Sequence, residues 1–156
     1  MQLTDFIGDK SVFPELKAGS KKQLLQELAT LAGNVTKLDS RQIFESLLQR
    51  EKLGSTGLGR GIAIPHGKFS QLDKVYGFFG RLSQPVEFDA VDGEPVDLVF
   101  LLLAPESAGA DHLKALARIS RLLRDNAIVS KLRGTDDPHG LYSVLTEPAA
   151  SASNAA

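Results

Sequence analysis

A nearly continuous apolar run at residues 96–104 is the feature of the sequence that most restricts the fold. A segment with Asp-Gly and Pro, residues 91–95, precedes the run and predicts a turn, and Pro105 follows it. A strand that is apolar on both faces must be covered on both faces, as in the interior of a layered sheet. The run therefore predicts the central strand of a sheet with further layers on its two sides.

Amphipathic helices can supply those layers. Ser20 and Asp39 each have a Gln three residues later, which is the form of a capping box, and apolar residues then recur at helical spacing. Further segments with helical spacing lie at residues 111–123, 128–132 and 138–146. Strand signals lie at residues 11–13 and 75–82. Together they predict a single-domain α/β fold, a mixed β-sheet flanked by helices.

Prolines and glycines predict where several of these elements end. Pro14 is expected to end an edge strand, because proline cannot donate to a sheet ladder. Gly33, followed by Asn34, is expected to end the first helix. Pro65 is expected to end a short buried strand at 62–64, so that His66 lies at the end of that strand.

Length and composition predict one compact domain over residues 1–147 and a disordered Ala/Ser-rich tail over 148–156. The net charge of −1 gives no basic surface of the kind that nucleic acid requires. The absence of cysteine excludes thiolate catalysis and cysteine-bound metal. The first residues do not resemble a signal peptide, and the longest apolar run is far below the about 20 residues of a membrane helix. A cytoplasmic protein without membrane insertion is the expectation.

The glycine-rich segment 54–68 is the strongest candidate for a site. Glycines at positions 54, 57, 59 and 61 leave backbone N–H groups open to a ligand. Ser55 and Thr56 add hydroxyl groups, while Arg60 and Lys68 add positive charge. The segment favours small anionic groups, with a plain structural loop as the alternative. It lacks both the dinucleotide motif and the phosphate-loop motif, so the glycines do not indicate a nucleotide site.

His66 and His112 are predicted at positions where the sheet could bring them together. His112 falls in the first turn of the helix that follows the central strand, at the edge where open α/β sheets bind ligands. The start of a helix also favours anions. Arg50 is predicted in the last turn of the second helix, close to the glycine-rich segment, although a cation there also suits the helix dipole. His139 is assigned no role.

A phosphoryl group carried on nitrogen would suit these residues. The set that could meet is His66, His112, Arg50, Arg60, Ser55 and Thr56. A neutral imidazole can attack phosphorus, and guanidinium and hydroxyl donors can stabilise the charge on the phosphoryl oxygens. Each residue also has a structural alternative: a packed histidine, a solvated arginine or a loop hydroxyl. No metal site is predicted, because no motif supplies a third ligand, and the serine-hydrolase motif is missing.

Residues 51–67 resemble the phosphorylation-site signature of the mannitol/fructose-type enzyme IIA family of the bacterial phosphotransferase system. The resemblance rests on Glu51, on Leu58-Gly59 and on Ile-Ala-Ile-Pro-His-Gly at 62–67, which are nine positions within 17 residues. The rest of the chain resembles the family too, over residues 3–147. The segment Gly-Ser-Thr-Gly-Leu-Gly-Arg-Gly at 54–61, together with the single unfused domain, is most similar to the nitrogen-regulatory branch. The resemblance implies the enzyme IIA fold of this type.

The resemblance also implies a chemistry and a role for each site residue. Phosphoenolpyruvate would phosphorylate an enzyme I, which phosphorylates an HPr-like carrier, and the carrier would pass the group to Nε2 of His66. His112 matches a histidine that hydrogen-bonds the phosphoryl group, and Arg50 matches the active-site arginine. Ser55 and Thr56 would approach the phosphoryl oxygens, and Arg60 occupies an unconstrained position of the signature. No cofactor is implied.

The output implied by the nitrogen-regulatory branch is control of target proteins, such as potassium transporters or sensor kinases, through the phosphorylation state. Two alternatives share the motif: a sugar-specific enzyme IIA that donates to a fructose or mannitol IIB partner, and a binding module that no longer transfers phosphate. A metal-dependent hydrolase is the last alternative.

Overall fold

The structure is a computed structural model that describes the backbone of residues 1–154 and the side chains of residues 1–147. A 3-10 helix at Leu3–Asp5 precedes the first strand. The first half of the chain then forms β1 (Ile7–Leu16), α1 (Lys21–Thr36), α2 (Ser40–Lys52), β2 (Gly57–Gly59), β3 (Ile62–Ala63) and β4 (His66–Phe69). The second half forms β5 (Tyr76–Val86), β6 (Val96–Pro105), α3 (Ala110–Leu122), α4 (Asn126–Arg133) and α5 (Pro138–Asn154).

The six strands of the described residues form one mixed sheet: five follow the order β1-β5-β6-β3-β2, and β4 also pairs with β6. β6 is its central strand: it runs antiparallel to β5 on one side and parallel to β3, and then to β4, on the other. β1 pairs in parallel with β5 at the edge of the sheet. The predicted α/β fold with a mixed sheet and a central strand at 96–104 is confirmed.

The two faces of β6 belong to two different hydrophobic clusters. Leu98, Phe100 and Leu102 pack on the side covered by α3, α4 and α5. The alternate residues, Val99 and Leu101 among them, pack on the side covered by α1 and α2. All of these side chains are fully buried. The continuous apolar run thus follows from coverage of both faces, as expected of a central strand.

Two predicted boundaries are wrong. Pro14 lies inside β1, which continues to Leu16, because an edge strand tolerates a residue without an N–H donor. Gly33 lies inside α1, which ends at Thr36 with Lys37 in the left-handed conformation (φ 66°). A Cβ atom at Gly33 would lie 3.1 Å from the carbonyl oxygen of Leu38, so this glycine permits a close approach of the chain rather than ending the helix.

Pro65 does separate His66 from β3, but His66 begins a new strand instead of ending the previous one. Proline cannot donate to the ladder. Its carbonyl oxygen nevertheless accepts the N–H of Leu102 at 3.0 Å, which keeps the chain beside β6. β4 therefore starts directly at His66, which pairs with Leu102.

The predicted disordered tail at 148–156 overlaps the last helix. The backbone of α5 continues to Asn154. Residues 155–156 lie outside the described residues, and the division into domain and tail stays a prediction. None of the helices described up to residue 154 is long and apolar enough to cross a membrane.

Candidate functional site

The structure brings His66 and His112 together at the carboxyl-terminal end of β6. β4 pairs with that end of β6 from its first residue, His66. The chain leaves β6 after Pro105 and enters α3 at Ala110, which places His112 in the first helical turn, as predicted. The centroids of the two imidazole rings lie 5.7 Å apart, with 53° between the ring planes. A group of the size of a phosphoryl can therefore contact both rings.

His66 is held by its own strand in a defined ring orientation. Its Nδ1 atom lies 2.8 Å from the carbonyl oxygen of Ile64. A carbonyl oxygen can only accept a hydrogen bond, so Nδ1 carries the proton in the neutral ring and Nε2 keeps its lone pair. Burial lowers the pKa of His66, the bond to Ile64 opposes this effect, and the positive charge of Arg50 lowers the pKa further. The ring is therefore neutral near pH 7, with Nε2 as its nucleophilic atom.

His112 is buried, with 5 % of its surface exposed. Its Nδ1 atom is inaccessible and has no hydrogen-bond partner within the described part of the chain, which leaves Nε2 as the nitrogen available to a group beside it. Burial lowers the pKa of His112, and the charges of His66 and Lys68 lower it further. His112 is therefore a neutral hydrogen-bonding group near pH 7.

A cleft of about 460 Å³ lies between α2, β4 and α3 and contains both histidines. Its other lining residues are Ser46, Gln49, Arg50, Leu53, Gly67 and Lys68. Two of these side chains are cationic, and none of the residues that line the cleft is acidic. The cleft therefore favours an anionic group, and the presence of both histidines in its lining suits a phosphoryl group.

Arg50 lies in the last turn of α2, as predicted. Its Nη1 atom donates a hydrogen bond to the carbonyl oxygen of Gly54 at 3.0 Å. The guanidinium has five N–H donors, so this one bond orients the group and leaves donors for a ligand in the cleft.

Ser55 and Thr56 lie near the cleft, but their hydroxyl groups are engaged elsewhere. Ser55 Oγ donates to the carbonyl oxygen of Phe88 at 2.8 Å and accepts the N–H of Gly57 at 3.0 Å. Thr56 Oγ1 donates to the carboxylate of Glu51. Neither residue lines the cleft, so the predicted contact of these hydroxyls with a phosphoryl group stays a prediction.

Arg60 is not brought to the histidines. It lies in the turn between β2 and β3, with a left-handed backbone (φ 58°). Its guanidinium donates to Asn126 Oδ1 at 2.8 Å and to the carbonyl oxygen of Leu123 at 2.7 Å. These contacts fasten the turn to the start of α4, and they give Arg60 a structural function at a distance from the cleft.

Sequence reasoning did not select three of the cleft residues, and it named Lys68 only as a positive charge of the glycine-rich segment, although a signal was present for all four. Ser46 and Leu53 stand four residues before and three after Arg50, and Gln49 stands three after Ser46 and four before Leu53, so helical spacing brings these residues to one side of α2. Lys68 is two residues after His66, which places both side chains on the same face of β4. The strand at 66–69 was not predicted, and that face was therefore not recognised.

No group of three or more histidine, aspartate or glutamate side chains in the described residues could hold a metal ion. His139 lies at the start of α5 and is exposed, and no described contact links it to the cleft.

Comparison with known proteins places this chain within a described family. The family model of the phosphoenolpyruvate-dependent sugar phosphotransferase system, EIIA 2, matches residues 5–147. A nitrogen regulatory protein of Bradyrhizobium diazoefficiens is 58 % identical over 152 residues, which cover 97 % of this chain and 99 % of that protein. A fructose-specific EIIA component of Haloferax volcanii is 37 % identical over 134 residues, which cover 86 % and 85 % of the two chains. The crystal structure of nitrogen regulatory protein IIA-Ntr from Neisseria meningitidis superposes with a TM-score of 0.86 at 37 % identity, covering 91 % of this chain and 97 % of that one.

Proposed function

The chain belongs to the EIIA 2 family of the phosphoenolpyruvate-dependent sugar phosphotransferase system, and we propose that it is a cytoplasmic phosphocarrier of a nitrogen-related phosphotransferase system with His66 as the acceptor. The observation that carries the proposal is the ring of His66. Its Nδ1 atom is occupied by the bond to the Ile64 carbonyl, so that a bare Nε2 atom lies beside a cationic cleft.

The transfer is a substitution at phosphorus. The lone pair of His66 Nε2 forms a P–N bond while the P–N bond of the donor phosphohistidine breaks, and the electron pair of the broken bond stays on the donor nitrogen. The proton on His66 Nδ1 stays in place through its bond to Ile64. The positive charge that develops on the ring is partly balanced by the phosphoryl oxygens.

Three cationic or hydrogen-bonding groups act on those oxygens in this proposal. Arg50 donates from its free guanidinium N–H groups, and His112 donates from Nε2. Lys68 adds a positive charge on the same face of β4 as His66. Ser55, Thr56 and Arg60, predicted from the sequence as phosphoryl-binding, make loop contacts, and their contact with the phosphoryl group stays a prediction.

A protein is the natural phosphoryl donor for a site of this form. Leu53 at the cleft is 86 % exposed, and Leu113, directly after His112, is 66 % exposed. Exposed leucines beside a cationic cleft suit a protein surface more than a small metabolite. An HPr-like carrier, supplied by enzyme I and phosphoenolpyruvate, fits this requirement.

The output that we propose is regulatory, because the relative with 58 % identity over nearly its whole length is named a nitrogen regulatory protein. A phosphoryl group adds about two negative charges to the cleft, enough to change which partner binds there. Target proteins such as potassium transporters or sensor kinases are the corresponding class of partner.

A sugar-specific enzyme IIA that donates to a IIB partner is the second candidate. The fructose-specific relative, 37 % identical over most of both chains, favours it. Transfer from the phosphorylated protein to a purified fructose or mannitol IIB domain would support this alternative. A binding module without phosphotransfer would instead bind its target equally well with and without phosphoenolpyruvate and the carriers.

Intact-mass spectrometry tests the proposal. The protein is incubated with phosphoenolpyruvate, an enzyme I and an HPr-like carrier, beside the variants His66→Ala and His139→Ala. One acid-labile phosphoryl adduct is expected on the wild type and on His139→Ala, and none on His66→Ala. An adduct on His66→Ala would refute the assignment of the acceptor. No adduct on any form, with carriers shown to be active, would refute the phosphocarrier function.

A further inference from the structure

A buried carboxylate lies directly next to Arg50 in the sequence and has no role in the proposed transfer. The side chain of Glu51 is 3 % exposed. It receives the backbone N–H of Thr56 at 3.0 Å, the hydroxyl of Thr56, and the ammonium of Lys21 at 3.0 Å. A buried charge is tolerated only when it is paired and hydrogen-bonded, and Glu51 meets both conditions. Glu51 therefore fixes Thr56 in one position relative to the end of α2.

From Thr56 a continuous series of hydrogen bonds leads to the ring of His66. The carbonyl oxygen of Thr56 accepts the N–H of Ile64 at 3.0 Å. The carbonyl oxygen of Ile64 in turn accepts the proton of His66 Nδ1 at 2.8 Å. The position of the Ile64 carbonyl, which selects the tautomer of His66, thus depends on the loop that Glu51 anchors.

The same loop orients Arg50. The N–H of Gly54 donates to the backbone carbonyl of Glu51 at 3.1 Å, and the carbonyl oxygen of Gly54 accepts from Arg50 Nη1 at 3.0 Å. The loop between α2 and β2 is therefore fastened at both ends to one residue, by the backbone of Glu51 at Gly54 and by its side chain at Thr56.

We infer that Glu51 is a positioning residue for phosphoryl transfer: through Thr56 and the loop it holds the imidazole of His66 with Nδ1 protonated and Nε2 bare, and it holds the guanidinium of Arg50 at the cleft. The inference rests on the proposed phosphocarrier function. A geometry fixed in advance lowers the cost of reaching the transition state, and a small displacement of the reacting groups is costly.

A purely structural ion pair between Glu51 and Lys21 is the competing explanation, and the two make different predictions. The amide of Glu51→Gln has about the same size, but it cannot pair with the ammonium of Lys21, and one acceptor oxygen must serve both donors of Thr56. A structural role predicts a loss of stability alone. A positioning role predicts, in addition, a changed ring at His66.

The experiment reads the ring of His66 directly. The ¹⁵N chemical shifts of its two ring nitrogens are measured in unphosphorylated protein, at a pH where the ring is neutral, for wild type, Glu51→Gln, Thr56→Val and Thr56→Ser. Asp97→Asn is the matched control, because it also converts a paired carboxylate to an amide. Both contacts of Asp97 with Arg133 measure 2.9 Å, and Asp97 lies near the opposite end of β6.

We expect the wild type and Asp97→Asn to show the Nδ1-protonated tautomer of His66. Glu51→Gln should show a mixture of tautomers, and it should accept phosphate about tenfold more slowly at saturating carrier, with little change in the carrier concentration for half-maximal rate. In Thr56→Val the tautomer ratio of His66 and the maximal rate of phosphorylation should change in the same direction. In Thr56→Ser both quantities should return to the wild-type values. If Glu51→Gln does not fold, the comparison of Thr56→Val with Thr56→Ser still tests the inference.

Unchanged ring shifts and an unchanged maximal rate in folded Glu51→Gln or Thr56→Val would overturn the inference, even with lowered stability. The ring shifts need no phosphoryl donor. If the wild type accepts no phosphate, the proposed function fails, while the tautomer comparison still decides the role of Glu51.

Discussion

At the scale of single residues, the protonation of His66 determines its reactivity. Its pKa is lowered, chiefly by burial, so the ring of the folded protein stays neutral to a pH below the ordinary 6.5. A proton on Nε2 competes with the phosphoryl group for the same lone pair. We therefore expect the rate of phosphorylation to be constant near neutral pH and to fall only as the pH decreases through the lowered pKa.

A small phosphoramidate donor allows this pH profile to be measured without the titration of a protein carrier. The midpoint of the decline should lie below pH 6.5, and His139→Ala should give the same profile. A midpoint above pH 6.5 would mean that the pKa of His66 is raised in the folded protein.

Arg50 offers a second prediction at this scale. Arg50→Met removes the charge and the N–H donors of the guanidinium. It should slow phosphorylation by roughly 100-fold, the typical effect of losing a transition-state hydrogen-bond donor. Arg50→Lys keeps the charge without the planar fork and should give an intermediate rate. The initial rate of carrier-dependent phosphorylation measures both. Equal rates for wild type and Arg50→Met would remove Arg50 from the mechanism.

The sequence predicted His66, His112 and Arg50 at one site, and the structure places all three at the cleft. The sequence alone could not predict which partners the hydroxyl groups of Ser55 and Thr56 bond to. Ser55 bonds to the carbonyl of Phe88, 33 residues later, and this partner is set by the tertiary packing of the loop. Thr56 bonds to Glu51, whose burial is likewise a property of the folded chain.

At the scale of secondary-structure elements, the contact between β2 and the segment after β5 holds the loop in place. A Cβ atom at Gly57 would lie 2.8 Å from Cβ and 3.0 Å from Cα of Ala90, so the backbone itself would have to move. Gly57→Ala should therefore lower the free energy of unfolding by about 1–3 kcal/mol, the usual cost of overpacking.

Chemical denaturation measures this loss. Gly8→Ala is the control, because no atom lies within 4 Å of a Cβ atom at Gly8 and its backbone is not left-handed. Its effect should stay within about 0.5 kcal/mol, as for most surface substitutions. Equal stability of both variants would show that β2 and Ala90 can separate without cost.

The boundaries of the elements were predicted less well than their existence. The helices at 20–36 and 39–52 could be recognised from their caps, and the structure confirms Ser20 and Asp39 as the cap residues. Pro14 and Gly33 misled the prediction, because their effect depends on the edge position of β1 and on the approach of Leu38. Both are tertiary facts that local sequence does not contain.

At the scale of the whole molecule, the apolar run at 96–104 was sufficient to predict the central strand and the layers on both of its faces. The order of the strands was not predictable in the same way. β1 joins β5 in parallel, and β4 joins β6 beyond the end of β3. These pairings depend on long-range contacts between segments that are far apart in the sequence.

The partly buried imidazole of His66 and the buried imidazole of His112 also link folding to pH. Because burial lowers the pKa of both His66 and His112, the unfolded chain binds more protons than the folded protein just below pH 6.5. The free energy of unfolding should therefore decrease as the pH falls through 6.5, and this contribution should level off below the folded-state pKa values.

Denaturation of wild type and His112→Gln over this pH range tests the linkage. Glutamine does not titrate, so the stability of the variant should fall less steeply than that of the wild type between about pH 7 and pH 5.5. A difference between the two proteins that does not change with pH would contradict the lowered pKa of His112.

The position of the phosphoryl group on the ring of His66 is the most direct test of the proposal that Nε2 of His66 is the acceptor atom. Protein labelled with ¹⁵N is phosphorylated by the carriers, and the ring nitrogens of His66 are observed by NMR with detection of their coupling to ³¹P. We expect phosphorus bonded to Nε2 and a proton retained on Nδ1, because the Ile64 carbonyl continues to accept that proton. Phosphorus on Nδ1 of His66, or on any other residue, would contradict it.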